Sequence, residues 1–162
     1  MKKLFTLVLV SVISLISVNA NASEAFAKGD IVASVQVGIG SGFAQRLVGE
    51  YCVVDGWLDD KASLGVGASI NSNIYFDYYY ITTRTVSNYG ISLTANCSFH
   101  YQFVDKLDTY VTAGVGAGYV PGIVDYIGLV GARYYFTDNF AVNGEVGYTN
   151  LSYLNVGVSW RF

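Results

Sequence analysis

The chain is short of charged residues. Asp, Glu, Lys and Arg make up 13% of its 162 residues, roughly half the share that is usual in soluble domains. Aromatic residues supply 15%, and there are 18 glycines. A protein surface that is exposed to water usually carries more charge than this. We therefore expect much of the surface of this protein to be covered by something other than water. The formal net charge of −3 also gives no electrostatic reason to bind nucleic acid.

Long apolar runs are absent after residue 22, so no later segment is a candidate transmembrane helix. The other structure that can span a membrane is a closed β-barrel. The one apolar run, Leu4 to Val18, follows two lysines and precedes Ala20-Asn21-Ala22, which is the order of a secretory signal peptide. We predict a signal peptide over residues 1–22. Without its two lysines, the mature domain over residues 23–162 has a formal net charge of −5.

Alternation of apolar and polar residues is clearest from Tyr89 to Phe103. Successive side chains of a strand point to opposite faces, so one face of this segment is apolar and the other is small and polar. Such a length suits a strand that crosses a membrane at a tilt. A weaker form of the pattern, blurred in the sixth strand by Ile127 and Leu129, predicts seven more strands. They lie at about residues 31–39, 45–54, 64–70, 111–119, 126–136, 142–148 and 154–162.

The connections between these segments fit an all-β, eight-stranded, antiparallel up-and-down transmembrane barrel. Asp55 to Lys61, Val104 to Asp108 and Thr137-Asp138-Asn139 are turn-like, whereas residues 72–88 form the one long insertion. Outer-membrane barrels have short periplasmic turns and longer outside loops. If both termini are periplasmic, the three turns fall inside the cell envelope and the insertion falls outside, as does a turn at Pro121-Gly122.

A soluble barrel, such as a lipocalin, is the alternative, because periodicity alone does not say which face points inward. A soluble barrel would present charged residues to water on its polar face. Here that face is mostly Gly, Ser, Thr and Asn. An eight-stranded interior is just wide enough to be filled by its own side chains, so small residues suit it. The composition therefore favours a membrane barrel with a filled interior and no open pore.

The C-terminal residues carry a resemblance to known proteins. Val156, Val158, Trp160 and Phe162 resemble the terminal signature that the bacterial outer-membrane barrel-assembly machinery recognises. The stretch from Gly131 to Tyr148 is similar to the last hairpins of the small OmpA/OmpX-like outer-membrane β-barrel superfamily. This resemblance implies a monomeric barrel in the bacterial outer membrane, in contact with its lipids. The superfamily is functionally mixed, so the fold says little about the role. No peptidoglycan-binding domain follows Phe162, so we expect no cell-wall tethering.

Residues that could do chemistry are few. The chain has two cysteines and one histidine, and neither type forms a cluster typical of a metal site. Cys52 and Cys97 are predicted on strands that are not neighbours, so we expect two free thiols. His100 is predicted at the periplasmic end of its strand, away from the outer leaflet where a lipid-modifying enzyme would act. We therefore expect no catalytic residues, cofactor or metal, and a structural role for His100 in the polar interior or at its rim.

Four charged residues are predicted to meet inside the barrel. A three-residue turn at residues 137–139 sets Arg133 opposite Asn143 and Gly131 opposite Glu145. Both charges then point inward as diagonal neighbours, close enough for long side chains to meet. Arg46 and Glu50 on the second strand are predicted to extend this cluster across the lumen.

The long insertion is rich in aromatic residues. Its candidate ligand contacts are Tyr75, Phe76, Tyr78, Tyr79, Tyr80 and Arg84. These aromatics suit the interfacial girdle and strand extensions above a membrane, or else a contact surface, because Tyr gives a large amphipathic contact area. We therefore expect a structural or interaction barrel, with adhesion or ligand binding through residues 72–88 as the alternative. Lipid modification is the third hypothesis.

Overall fold

The computed structural model describes residues 26–40, 42–79, 84–119, 124–149 and 152–162, with the backbone alone for residues 75–79 and 84–88. These residues form eight antiparallel strands, each paired with the next, and β1 pairs with β8 to close a barrel. The strands are β1 Ile31–Ile39, β2 Phe43–Trp57, β3 Ala62–Tyr79, β4 Arg84–Val104, β5 Leu107–Tyr119, β6 Val124–Tyr135, β7 Phe140–Tyr148 and β8 Leu154–Arg161. The predicted closed, up-and-down, eight-stranded barrel is confirmed.

The predicted signal peptide, residues 1–22, and the predicted turn at Pro121-Gly122 lie outside the described residues. Among the residues that are described, no helix is long and apolar enough to cross a membrane.

The strands place polar side chains inside the barrel and apolar side chains outside. Of the described residues, 24 polar or charged side chains are buried, against 10 apolar ones. Outward apolar residues are exposed on every strand, as with Val35 on β1 at 46%, Leu93 on β4 at 59% and Val130 on β6 at 56%. A soluble protein has the opposite arrangement, with apolar side chains inside.

The two ends of the barrel differ. The terminus-side end holds the first described residue, Phe26, the C-terminal Phe162 and three short connections, at residues 58–61, 105–106 and 136–139. The opposite end, here called the hairpin end, is dominated by β3 and β4, which contain 18 and 21 residues. The three connections at the terminus-side end correspond to the three predicted turns.

Residues 72–88, the long insertion, are mostly strand, which agrees with the strand extensions that their aromatic residues suggested. β3 and β4 stay paired as far as Tyr79 and Arg84, and Tyr80 lies outside the described residues. β2 pairs with β3 only as far as Ile74, and β5 pairs with β4 only as far as Ile91. The hairpin therefore projects beyond its neighbours. Its Tyr, Phe and Thr residues favour strands, so the pairing continues where the interior pattern ends.

Two further differences concern strand ends and strand faces. Ile127 and Leu129 are 5% and 1% exposed and point into the lumen, and these inward apolar residues blur the alternation of β6. The β4–β5 connection has only two residues, with Lys106 at a φ of 64°. A register shift lies beside it, between Gln102 and Val104, as in hairpins that combine a left-handed residue with a β-bulge. β5 therefore begins at Leu107, and Asp108 faces the interior instead of lying in the predicted turn.

Candidate functional site: an ion cluster in the barrel interior

Ionisable side chains from five strands meet in the lumen. Each is at most 7% exposed. We call this set the interior ion cluster, and it consists of Arg46 and Glu50 from β2, His100 from β4, Asp108 from β5, Arg133 from β6 and Glu145 from β7.

Four members of the cluster form a closed ring of hydrogen bonds. Arg133 donates from Nη1 to Asp108 Oδ2 at 3.0 Å and from Nη2 to Glu50 Oε2 at 3.2 Å. The other oxygens of these carboxylates face His100, with Nδ1 2.8 Å from Asp108 and Nε2 3.0 Å from Glu50. Ionised carboxylates only accept hydrogen bonds, so both ring nitrogens donate when both carboxylates are ionised. His100 then has no nitrogen left to accept a proton from a nucleophile.

The remaining two members form a second group beside this ring. Arg46 forms an ion pair with Glu145 and donates to Gln36 Oε1 at 3.3 Å. The hydroxyl of Tyr110 donates to the second oxygen of Glu145 at 2.8 Å. Arg133 lies over the ring of Tyr110, 5.0 Å from its centroid. Tyr110 therefore links the two groups.

Charges within the cluster balance. When His100 is protonated, it and the two guanidinium groups carry three positive charges, and Glu50, Asp108 and Glu145 carry three negative ones. Buried charges are tolerated when each one has a partner and further hydrogen bonds. The cluster thus ties together five strands on different sides of the lumen.

The structure brings together all four interior residues that the sequence singled out, but with different partners. The register is as predicted, with Arg133 opposite Asn143 and Gly131 opposite Glu145. The predicted direct contact of Arg133 with Glu145 is nevertheless wrong, because their ion-pair partners are other residues. Gly131, which lies opposite Glu145, leaves room for a different side chain. The Tyr110 ring occupies that space, 2.5 Å from where a Cβ of residue 131 would lie.

Two residues of the site, Asp108 and Tyr110, were not predicted from the sequence. Asp108 was predicted to lie in a turn. The signal that could have placed it in β5 is the run of strand-favouring residues, Thr109 to Val111, that follows it directly. Tyr110 was not assigned to the interior because the predicted fifth strand began only at residue 111, whereas β5 begins at Leu107. His100 was expected in the polar interior or at its rim, and it is 1% exposed at the centre of the ring.

The terminus-side end of the lumen is covered by the first described residues. The ring of Phe26 lies 4.2 Å from that of His100, centroid to centroid. Arg161 donates to the carbonyl of Asp138 from Nε and Nη2 and lies 3.5 Å from Asp30. Two cavities in this half of the lumen, one beside Phe26 and one between the two groups of the ion cluster, measure only about 10 Å³ each.

The hairpin-end half of the lumen is lined by small polar side chains that bond to one another. Ser69 and Thr94 share a hydrogen bond of 2.7 Å, and Asn71 donates to Ser92 at 3.1 Å. Ser92 in turn donates to Asp125. Among the described residues, no group of three or more His, Cys, Asp or Glu side chains is placed to hold a metal ion.

A concavity of about 740 Å³ lies on the outer face of β4 to β7 rather than in the lumen. The strand registers explain its shape. Thr109, Ala132 and Gly144 stand side by side on β5, β6 and β7 as a row of small side chains. The adjacent row on the same face contains Val111, Val130 and Val146. Their larger side chains form one wall of the concavity.

Both cysteines are free thiols, as predicted from the strand order. Cys52 is buried in the lumen with Sγ 3.6 Å from the carbonyl of Val54, and Cys97 is exposed on the outer face.

Comparison with known proteins gives the fold and nothing finer. No protein-family model matches the chain, and no curated protein matches it. A solved structure described as "De novo design of transmembrane beta-barrels" aligns with a TM-score of 0.55 and 18% sequence identity, covering 83% of this chain and 97% of that chain. The chain is thus an all-β, closed antiparallel barrel, similar in fold to a designed transmembrane barrel.

Proposed function

We propose that the chain is a bacterial outer-membrane β-barrel of the OmpA/OmpX-like kind, with a structural or interaction role. The observation that carries this is the inverted distribution of polarity. The buried interior holds an ion cluster, while the outward residues of all eight described strands form an apolar surface. Such an apolar surface is stable in contact with lipid. Because the barrel is closed, it exposes no unpaired strand edge to that lipid.

The interior supports a filled barrel with no open pore. Two lumen cavities of about 10 Å³ each are close to the size of a single water molecule. Arg133 and Arg46 reach across the lumen to carboxylates on other strands, and Phe26 covers one end. Steady ion conduction would require several of these contacts to break together. We expect no stable channel when the purified protein is added to planar bilayers.

Export and assembly follow from the same proposal. The chain reaches the outer membrane through a signal peptide over residues 1–22, and the barrel-assembly machinery recognises its C-terminal Phe162. The protein then acts as a monomer among outer-membrane lipids.

Fractionation and mass spectrometry test the location. We expect the protein in the outer-membrane fraction, with an intact mass that begins at Ser23. The folded barrel should migrate faster than the heat-denatured chain on a gel. Recovery as a soluble periplasmic protein would remove the basis of the proposal, and a retained Met1 would remove the export step.

Ligand binding through the β3–β4 hairpin is the second candidate. The supporting observation is that residues 75–79 and 84–88 pair only with each other, beyond the ends of β2 and β5. A hairpin that projects in this way adds surface that barrel closure does not need. With both termini in the periplasm, it faces the outside of the cell.

A trimmed variant separates this candidate from a purely structural role. Replacing residues 76–87 with a two-residue Asn-Gly turn keeps every β2–β3 and β4–β5 pair. Cells bearing the intact or the trimmed barrel are screened for adhesion to arrays of glycans and proteins. Adhesion that is lost on trimming, while the heat-modifiable gel band is kept, supports the hairpin. Adhesion that survives trimming excludes it.

A further inference from the structure

A small cavity separates the two groups of the interior ion cluster. It measures about 10 Å³, and its lining includes Arg46 and Glu145 from one group and Arg133 and Glu50 from the other. Asn96 on β4 completes this part of the lining. The volume is at the lower limit of what holds one water molecule.

Three of these lining residues carry a buried polar atom that no protein group satisfies. The atoms are Nε of Arg46, Nε of Arg133 and Oδ1 of Asn96. The residues are 2%, 2% and 8% exposed. The other side-chain polar atom of Asn96, Nδ2, donates to Ser69 Oγ at 3.1 Å. A buried polar group without a partner loses its hydration without compensation, so a hydrogen bond to a bound molecule would stabilise each of these atoms.

The chemistry of these atoms selects the occupant. Two N–H groups require an acceptor, and one carbonyl oxygen requires a donor. A monatomic anion cannot donate to Asn96 and would meet the carboxylates of Glu50 and Glu145. A cation would meet two guanidinium groups. A neutral molecule that accepts two hydrogen bonds, donates at least one and fits this volume is water.

We propose that this cavity is a binding site for one ordered water molecule. The water accepts hydrogen bonds from Nε–H of Arg46 and of Arg133 and donates one to Oδ1 of Asn96. Three such bonds are typical of a buried water. The site joins the Arg46–Glu145 pair to the ring around His100, so the ion cluster becomes one connected network. This role does not depend on the proposed membrane location.

The chain offers a matched pair of asparagines for the test. Asn96 and Asn71 both point into the lumen, and each donates from Nδ2 to a serine hydroxyl at 3.1 Å. Each also has an Oδ1 without a protein partner. Asn96 lines the cavity, whereas Asn71 is absent from its lining. Leucine at either position has nearly the same shape as asparagine and cannot accept a hydrogen bond.

The measurement is the nuclear Overhauser effect between water and the arginine Nε–H protons in the folded, isotope-labelled protein in detergent micelles. Arg46 and Arg133 should both show a cross-peak of the sign given by a long-lived water. Asn71→Leu and Asn96→Asp should keep both cross-peaks, and Asn96→Leu should lose them. Persistence in Asn96→Leu, or loss in Asn71→Leu, would overturn the assigned site.

A crystal structure of the unmodified protein decides the matter if Asn96→Leu does not fold. A density peak within about 3.2 Å of all three atoms is the expected result. Arginine Nε–H groups bonded to protein oxygens, with no peak between them, would refute the site.

Discussion

Breaking the Arg46–Glu145 ion pair is the most direct perturbation of the barrel interior. Arg46→Met keeps most of the apolar stem and removes the charge, which leaves Glu145 with the Tyr110 hydroxyl at 2.8 Å. Glu145→Gln leaves the guanidinium with the side-chain oxygen of Gln36 at 3.3 Å. Each substitution strands a buried charge, so each should lower the free energy of unfolding by about 3 to 5 kcal/mol.

The double variant separates pairing from general destabilisation. With both charges removed, no buried charge is left without its partner, so the combined loss should fall short of the sum of the single losses. The shortfall should be about 1 to 3 kcal/mol, as for residues in direct contact. Equilibrium urea unfolding in lipid vesicles provides the assay, followed by tryptophan fluorescence and by the mobility of the compact gel band.

A second cycle supplies the control. Arg161 bonds the carbonyl of Asp138 at the terminus-side end of the lumen, so Arg161→Met combined with Glu145→Gln should give additive losses. Additivity within about 0.5 kcal/mol in the Arg46–Glu145 cycle would refute the pairing. Equal coupling in both cycles would refute it too, because the effect would then be one of overall charge.

Two other predictions concern the two faces of the wall. Gly131→Val should destabilise the barrel by about 1 to 3 kcal/mol, because the new Cβ would lie 2.5 Å from the Tyr110 ring. Gly128→Val on the same strand is the control: its Cβ would meet nothing within 4 Å, so it should be close to neutral in the same urea titration. In lipid vesicles, Cys97 should react with an apolar maleimide and resist a charged one, while Cys52, at 0% exposure, should resist both until the protein unfolds; rapid reaction of Cys97 with the charged reagent would show water at that face.

The strand order could be predicted from the sequence because barrel strands alternate between two chemically different surroundings. Period-two alternation in β4 and β8 reports this directly, and the turn at residues 137–139 sets the β6–β7 register. The alternation weakens where Ile127 and Leu129 enter the lumen. Alternation does not mark the projecting part of β3 and β4, because that part has no interior to line. The strand extension there was indicated by its aromatic residues instead.

The partners of the interior charges could not be predicted in the same way. Register decides which residues are neighbours along the wall, and it correctly placed Arg133 and Glu145 on adjacent strands. Contacts across the lumen depend on barrel closure and on side-chain length. Arg46 meets Glu145 although 99 residues separate them, and the Tyr110 ring keeps Arg133 apart from Glu145. No local pattern in the sequence encodes either fact.

The bonding inside the barrel bears on where any interaction takes place. Both nitrogens of His100 face carboxylates, and Phe26 lies over its ring. A ligand that entered the ion cluster would have to displace contacts that hold five strands together, and the binding energy would be spent on that rearrangement. Binding at the projecting part of β3 and β4 would break no such contacts, because the pairing with β2 and β5 ends at Ile74 and Ile91. We therefore propose that any ligand this protein recognises binds at the β3–β4 hairpin, while the ion cluster keeps the barrel beneath it rigid.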